Sequence, residues 1–163
     1  MTQQPTDDGT RKVTQILGDQ RTGMLTTTAP DGTLVSRPMA LQEVEFDGDL
    51  WFFAERSSRK VEHVSARPVV NVGAGGGATW VSLTGRAEVV DDLGRKRDLW
   101  NPVVEAWFPD GPEDPGVVLL RVRADSAEYW DSAAGRLASL VSFAKAKVTG
   151  ERYDGGENER VEL

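Results

Sequence analysis

Apolar positions recur along the chain at two periods, one helical and one strand-like. Val13, Ile16 and Leu17 stand at i, i+3 and i+4 and predict an amphipathic helix from about Arg11 to Asp19. From Met24 the period falls to two. The runs 24–28 and 33–41 flank Ala29-Pro30-Asp31-Gly32 and read as a hairpin. Residues 44–46 and 50–54 around Asp47-Gly48-Asp49 read as a second one. The stretch 55–68 predicts a short helix capped by Ser57 or Ser58, with Val61 and Val64 on one side and Pro68 as its stop. A short strand at 69–72, a glycine-rich loop at 73–78 and a long strand at 80–90 follow, with Gly85 marking a bulge or a close backbone contact. Asp91-Asp92 opens a helix carrying Leu93, Leu99 and Trp100. A connector with Trp107 and Phe108 then leads through a Pro/Gly/acid turn to strands at 116–123 and 127–130. Residues 136–147 are weakly amphipathic and read as a terminal helix.

Six to eight short strands in hairpins, with few helices between them, predict a mainly β fold: an antiparallel barrel with peripheral helices. A doubly wound parallel sheet would need a helix after nearly every strand. The 163 residues are a one-domain length. Residues 1–10 read as a flexible N-terminal tail, 11–148 as the domain, and the polar 149–163 as a flexible acidic tail.

Charge and composition narrow the chemistry. The net charge of −7 argues against nucleic acid as a partner. Much of that charge lies near the ends: residues 1–10 hold Asp7 and Asp8 without a base, and 151–163 set five acids against Arg152 and Arg160. In the nearly balanced body, Arg56, Arg59 and Lys60 form a local positive cluster able to hold a small anion. With no cysteine there is no thiolate nucleophile, Cys-type zinc site or iron–sulfur cluster. The sequence has neither a secretory leader nor an apolar run of about 20 residues, so a cytoplasmic protein without a membrane partner is expected.

Several motifs have structural explanations. Gly73-Ala74-Gly75-Gly76-Gly77-Ala78 matches the form of a dinucleotide fingerprint, but a strand-like segment follows where a helix is required, so it reads as a hairpin loop. The single histidine, His63, has no companion motif, and it reads as a partly exposed helix residue with no metal or catalytic duty. Glu43/Glu45 and Asp91/Asp92 read as strand-edge and cap residues. The five tryptophans mostly fill a core or a subunit interface. Ser57-Ser58-Arg59-Lys60 is the informative stretch, since hydroxyls, free helix N–H groups and cations meet where a strand gives way to a helix. Spacing alone leaves open whether this is a phosphate seat or a solvated helix start.

Arg37-Pro38-Met39-Ala40-Leu41-Gln42 and the run from Trp51 to Lys60 together form one pattern. The sequence resembles the FMN-binding split barrel of the pyridoxamine 5′-phosphate oxidase-like superfamily. It is most similar to the general stress protein 26 branch through the ordered segments 80–92, 99–116 and 119–131. That resemblance implies a six- to eight-stranded antiparallel split barrel and a set of flavin neighbours. Arg37, Pro38, Met39, Ala40, Leu41 and Gln42 would border the flavin, and Phe53 and Ala54 would line it. Ser58, Arg59 and Lys60 would hold its phosphate, and Trp80 would occupy the place of a flavin-contacting glutamine. Gln42 replaces a lysine of the oxidases and Ala54 a threonine, and their C-terminal Arg-x-His substrate segment is absent, so oxidation of pyridoxamine phosphate itself is not expected. The resemblance further implies a homodimer with the cofactor between subunits and two-electron exchange with a small-molecule donor or acceptor. A basic phosphate seat suits FMN, FAD and the deazaflavin F420 alike, and a non-catalytic flavin-binding stress protein is the alternative to an oxidoreductase.

Overall fold

The computed structural model describes residues 7–131 and 157–163. Helix α1 (Asp7–Gly18) precedes β1 (Thr22–Thr28), β2 (Leu34–Ala40) and β3 (Asp49–Glu55). Helix α2 (Arg59–Ala66), β4 (Val69–Gly76) and β5 (Thr79–Val90) follow. The chain continues through α3 (Leu93–Leu99), α4 (Pro102–Trp107), β6 (Val117–Asp131) and β7 (Glu157–Glu162). All pairings are antiparallel, in the order β2-β1-β4-β5-β6-β3, with β7 also on β6. The end strands β2 and β3 approach each other without pairing, which leaves the barrel split. The chain is thus a mainly β, seven-stranded split barrel among the described residues. No helix among them is long and apolar enough to cross a membrane.

Strand alternation builds two cores. Leu25, Phe52, Val72, Leu83, Leu120 and Val122 are fully buried inside the barrel. Val13, Ile16 and Leu17 of α1, and Val61 and Val64 of α2, join them as their spacing predicts. Phe53 points the other way from Phe52 and joins Leu99, Val104, Val117 and Leu119 in a second cluster with α3 and α4 residues. Each such burial contributes roughly 1.5–3 kcal/mol. Gly85 sits at the bulge in the β5–β6 pairing, and a Cβ there would lie 2.1 Å from the carbonyl oxygen of Arg123. Only glycine fits that approach.

The structure corrects several expectations. Residues 44–46 are not a strand: β3 takes its partner from β6, with Asp49 opposite Arg123 and Glu55 opposite Val117, and Val44 N–H turns back to the Gln42 carbonyl. Residues 73–76 belong to β4, so the loop shrinks to the turn Gly77-Ala78, which Gly77 closes at φ 65°. The strands expected at 116–123 and 127–130 are one strand, because β5 pairs along nearly its whole length. The connector after Trp100 contains α4, capped by Asn101 and begun by Pro102, a start signal present in the sequence. At the chain ends, residues 7–10 belong to α1 rather than to a tail, and 157–162 pair with β6, burying Val161. The terminal helix expected at 136–147 lies outside the described residues.

Candidate functional site

At the end of β3 the chain makes a tight turn, with Ser58 N–H on the Glu55 carbonyl at 3.0 Å, and α2 begins at Arg59. Ser58 is the N-cap residue by backbone conformation, yet its side chain caps nothing. Its Oγ is buried and has no hydrogen-bond partner among the described residues. Buried hydroxyls are rarely left so, because desolvation without a partner costs about 1–3 kcal/mol. Val61 and Glu62 N–H both donate to the Ser58 carbonyl, at 3.0 and 3.2 Å, so the N–H groups a helix start leaves without intrahelical acceptors are those before Val61, where the helix dipole favours an anion.

Cations converge on this corner from two elements. Arg37, on β2, shares the inward face with Leu25, which it opposes across the β1–β2 pair. Its Nη1 donates to the Leu25 carbonyl at 3.2 Å and to Thr27 Oγ1 at 2.7 Å. Burial lowers the Arg37 pKa, and the positive charge of Arg59 lowers it further. Lys60 is shifted down as well, first by burial and then by Arg37, while Glu55 acts in the opposite sense. Neither Arg59 nor Lys60 forms an ion pair or side-chain hydrogen bond with a described residue. Like charges drawn together and partly stripped of water are held at a cost that a bound anion removes.

Arg56 does not belong to this cluster. Its Nε donates to the Pro115 carbonyl at 2.8 Å, and its Nη2 pairs with Asp91. Asp91 also receives the Nζ of the buried Lys96 at 3.1 Å. Those contacts tie β3, β5, α3 and the start of β6 together. The neighbouring Asp92 caps α3 through Arg95 N–H, as a cap reading expects.

The other expected site residues are dispersed within the chain. Pro38 and Ala40 face outward and Met39 enters the barrel core, while Leu41 packs partly against it. Gln42 Oε1 accepts from Asn101 Nδ2 at 3.0 Å, fastening the chain after β2 to α4. Phe53 and Ala54 point to opposite faces, Phe53 edge-on to Trp100 with ring centroids 5.4 Å apart and Ala54 in the barrel core. Trp80 is 52% exposed on the outer sheet face, opposite Trp130. A cavity of about 370 Å³ between α1 and the 41–51 segment includes Leu41 and Gln42 but none of Arg37, Ser58, Arg59 and Lys60. At the cationic corner Arg59 is exposed, whereas Arg37, Ser58 and Lys60 are half-buried.

Comparison with known proteins places the chain. The family model described as pyridoxamine 5′-phosphate oxidase like matches residues 8–154. The chain belongs to this family. It is 30% identical to the general stress FMN/FAD binding protein of Xanthomonas citri, whose structure covers 82% of this chain and 95% of its own at a TM-score of 0.69. General stress protein 26 of Bacillus anthracis str. Sterne is also 30% identical, with 73% of this chain and 91% of that one covered and a TM-score of 0.66. Protein bli-3 of Neurospora crassa is 30% identical over 162 residues, covering 92% of this chain and 78% of its own.

One residue of this pyridoxamine 5′-phosphate oxidase-like chain departs from the sequence reading, and its partner is not singled out there. His63 is only 2% exposed, where a partly exposed residue is expected, and its Nδ1 lies 2.9 Å from Oγ1 of the fully buried Thr27. Helix α2 buries its histidine because it lies against β1 as well as β3 and β5. A signal for Thr27 is present in the sequence: it alternates with Gly23 and Leu25 on the inward face of β1, so its hydroxyl needs an internal partner.

Proposed function

We propose that this protein binds a flavin nucleotide, FMN or FAD, and acts as an oxidoreductase on a small-molecule donor or acceptor. The observation that carries this reading is the cationic corner itself, where Arg37, Arg59 and Lys60 lie within electrostatic reach of one another and Ser58, the N-cap residue just before Arg59, keeps a buried Oγ without a partner among the described residues. Such a set fits a phosphate. Arg37 can present a planar fork, Lys60 a point charge, Ser58 a hydroxyl donor, and α2 its free N–H groups. The flavin, when bound, supplies two-electron chemistry, and the protein supplies placement and electrostatics. The relative named for FMN/FAD binding supports the same ligand class.

A homodimer belongs to this reading. Trp80 and Trp130 are cross-strand neighbours, 52% and 38% exposed, and Met24 is exposed on the same sheet face. Large exposed apolar side chains on one sheet face support cover by a second copy.

Absorbance of the purified protein, with mass spectrometry of what it releases on denaturation, tests the ligand. A flavin spectrum and a released FMN or FAD mass are expected. A protein that takes up F420 and ignores both flavins overturns the assignment. Bleaching of the bound flavin by a reduced nicotinamide supports the oxidoreductase, whereas bound flavin inert to every donor and acceptor would make this a binding protein without catalysis.

A further inference from the structure

Arg37, Thr27 and His63 form a directed chain of hydrogen bonds. Arg37 Nη1 donates to Thr27 Oγ1 at 2.7 Å, and Thr27 Oγ1 lies 2.9 Å from His63 Nδ1. Thr27 is fully buried. Its oxygen accepts from a guanidinium, which has no lone pair to accept in return, so its own hydroxyl proton must be given to another protein atom. His63 Nδ1 is the partner in reach. Nδ1 therefore accepts, and the ring proton sits on Nε2. A proton on Nδ1 would aim two donors at one oxygen and strand the hydroxyl proton in a dry interior.

The helix that carries this histidine also carries Arg59 and Lys60, four and three residues before it. One rigid turn thus supplies two of the cations directly and holds the third through Thr27. Only Nη1 of Arg37 is used by described protein acceptors, which leaves Nη2 and Nε to meet a ligand.

We propose that His63 is a positioning residue for the phosphate end of the cofactor, acting through Thr27 to set the Arg37 guanidinium. This rests on the flavin-nucleotide reading above. His63 touches no ligand. Its contribution is to fix the direction of one hydroxyl and thereby the placement of one cation.

The test compares FMN with riboflavin, which lacks the phosphate. His63→Phe fills the space but offers no acceptor, whereas His63→Asn offers an amide oxygen near the place of Nδ1. Thr27→Val and Thr27→Ser make the same contrast one link along. Phe and Val variants are expected to bind FMN about tenfold more weakly with riboflavin affinity unchanged, and Asn and Ser variants to recover most of the loss. Equal loss for both ligands, or no loss for either, overturns the proposal.

A second measurement needs no substitution of the histidine. With one histidine in the chain, nitrogen-15 labelling gives a single imidazole to observe. An unprotonated, hydrogen-bonded Nδ1 that shifts in Arg37→Met is expected, and a protonated Nδ1 or one indifferent to Arg37→Met overturns the relay. Should the wild-type protein bind no FMN, the flavin reading fails, and the nitrogen spectrum alone decides the relay.

Discussion

Arg56 and Asp91 are paired across 35 residues, and that pair separates the structural cation from the ligand-seeking ones. Asp91 is held below the ordinary carboxylate pKa, first by the hydrogen bond from Arg56 and then by that from Lys96. A depressed carboxylate stabilises the fold above its unfolded-state pKa of about 4, and the contribution is lost as pH falls through the lower folded value.

Asp91→Asn should therefore destabilise the protein at neutral pH. It leaves the buried Lys96 ammonium with the Val117 carbonyl, 3.1 Å away, but without its counter-charge. The expected loss is about 2 kcal/mol, below the range for a fully buried pair because Asp91 is half exposed. Urea unfolding at pH 7 and pH 3 checks this. The gap between wild type and variant should narrow at the lower pH, and an equal gap at both would remove the ionic explanation.

Arg59→Ala with Lys60→Ala should weaken FMN binding by about 2–4 kcal/mol, summing two charge-assisted contacts with allowance for non-additivity. Riboflavin binding should change little, since the lost groups face the phosphate. Arg56→Ala is the matched contrast. Its partners are Pro115 and Asp91, so it should lower thermal stability while leaving FMN affinity near the wild-type value. Fluorescence titration with both ligands distinguishes the three proteins. Equal losses from Arg56→Ala and from the double variant would mean that the corner acts as one diffuse field.

Sequence pattern located the corner better than it sorted the residues there. Ser58, Arg59 and Lys60 stand where a strand signal gives way to a cap signal, and both signals are local. Arg56 looked equivalent in sequence because nothing nearby shows that Asp91 and Pro115, distant in the chain, return to it. Phe53 and Ala54 alternate, so one strand cannot turn both toward one ligand. Their dispersal was legible from period two, whereas the cover that buries Phe53 was not, because α3 and α4 reach it only through tertiary packing. Gly85 was legible as a close approach, but its neighbour Arg123 was not, since long-range register depends on which edge each strand finds free.

Gly85→Ala should be among the most damaging small substitutions in this chain. The added methyl would stand 2.1 Å from the Arg123 carbonyl oxygen and 2.9 Å from Ala124 Cα, both backbone atoms that cannot rotate away. Separating β5 from β6 at the bulge should cost about 3 kcal/mol or more. Gly73→Ala, where a Cβ meets nothing within 4 Å, should change stability by no more than about 1 kcal/mol. Denaturant midpoints of the two variants provide the comparison. Similar midpoints would show that the β5–β6 contact relaxes at little cost.

Ending the chain at residue 156 removes β7 and tests whether the acidic C-terminal segment is structural. That strand pairs along Ser126–Asp131, buries Val161 inside the main core, and accepts the Tyr129 hydroxyl on Glu159 at 2.9 Å. Its loss uncovers one edge of the second half of β6, which β5 continues to hold on the other side. Lost apolar burial and strand pairing should together cost about 2–4 kcal/mol. The newly exposed edge should also promote self-association at high protein concentration. Val161→Asp in the full-length chain should reproduce the stability loss, since it places a charge among apolar neighbours while the rest of the strand is retained. Unfolding curves and light scattering read the two effects separately. Wild-type stability in both proteins would return this segment to the role of a tail.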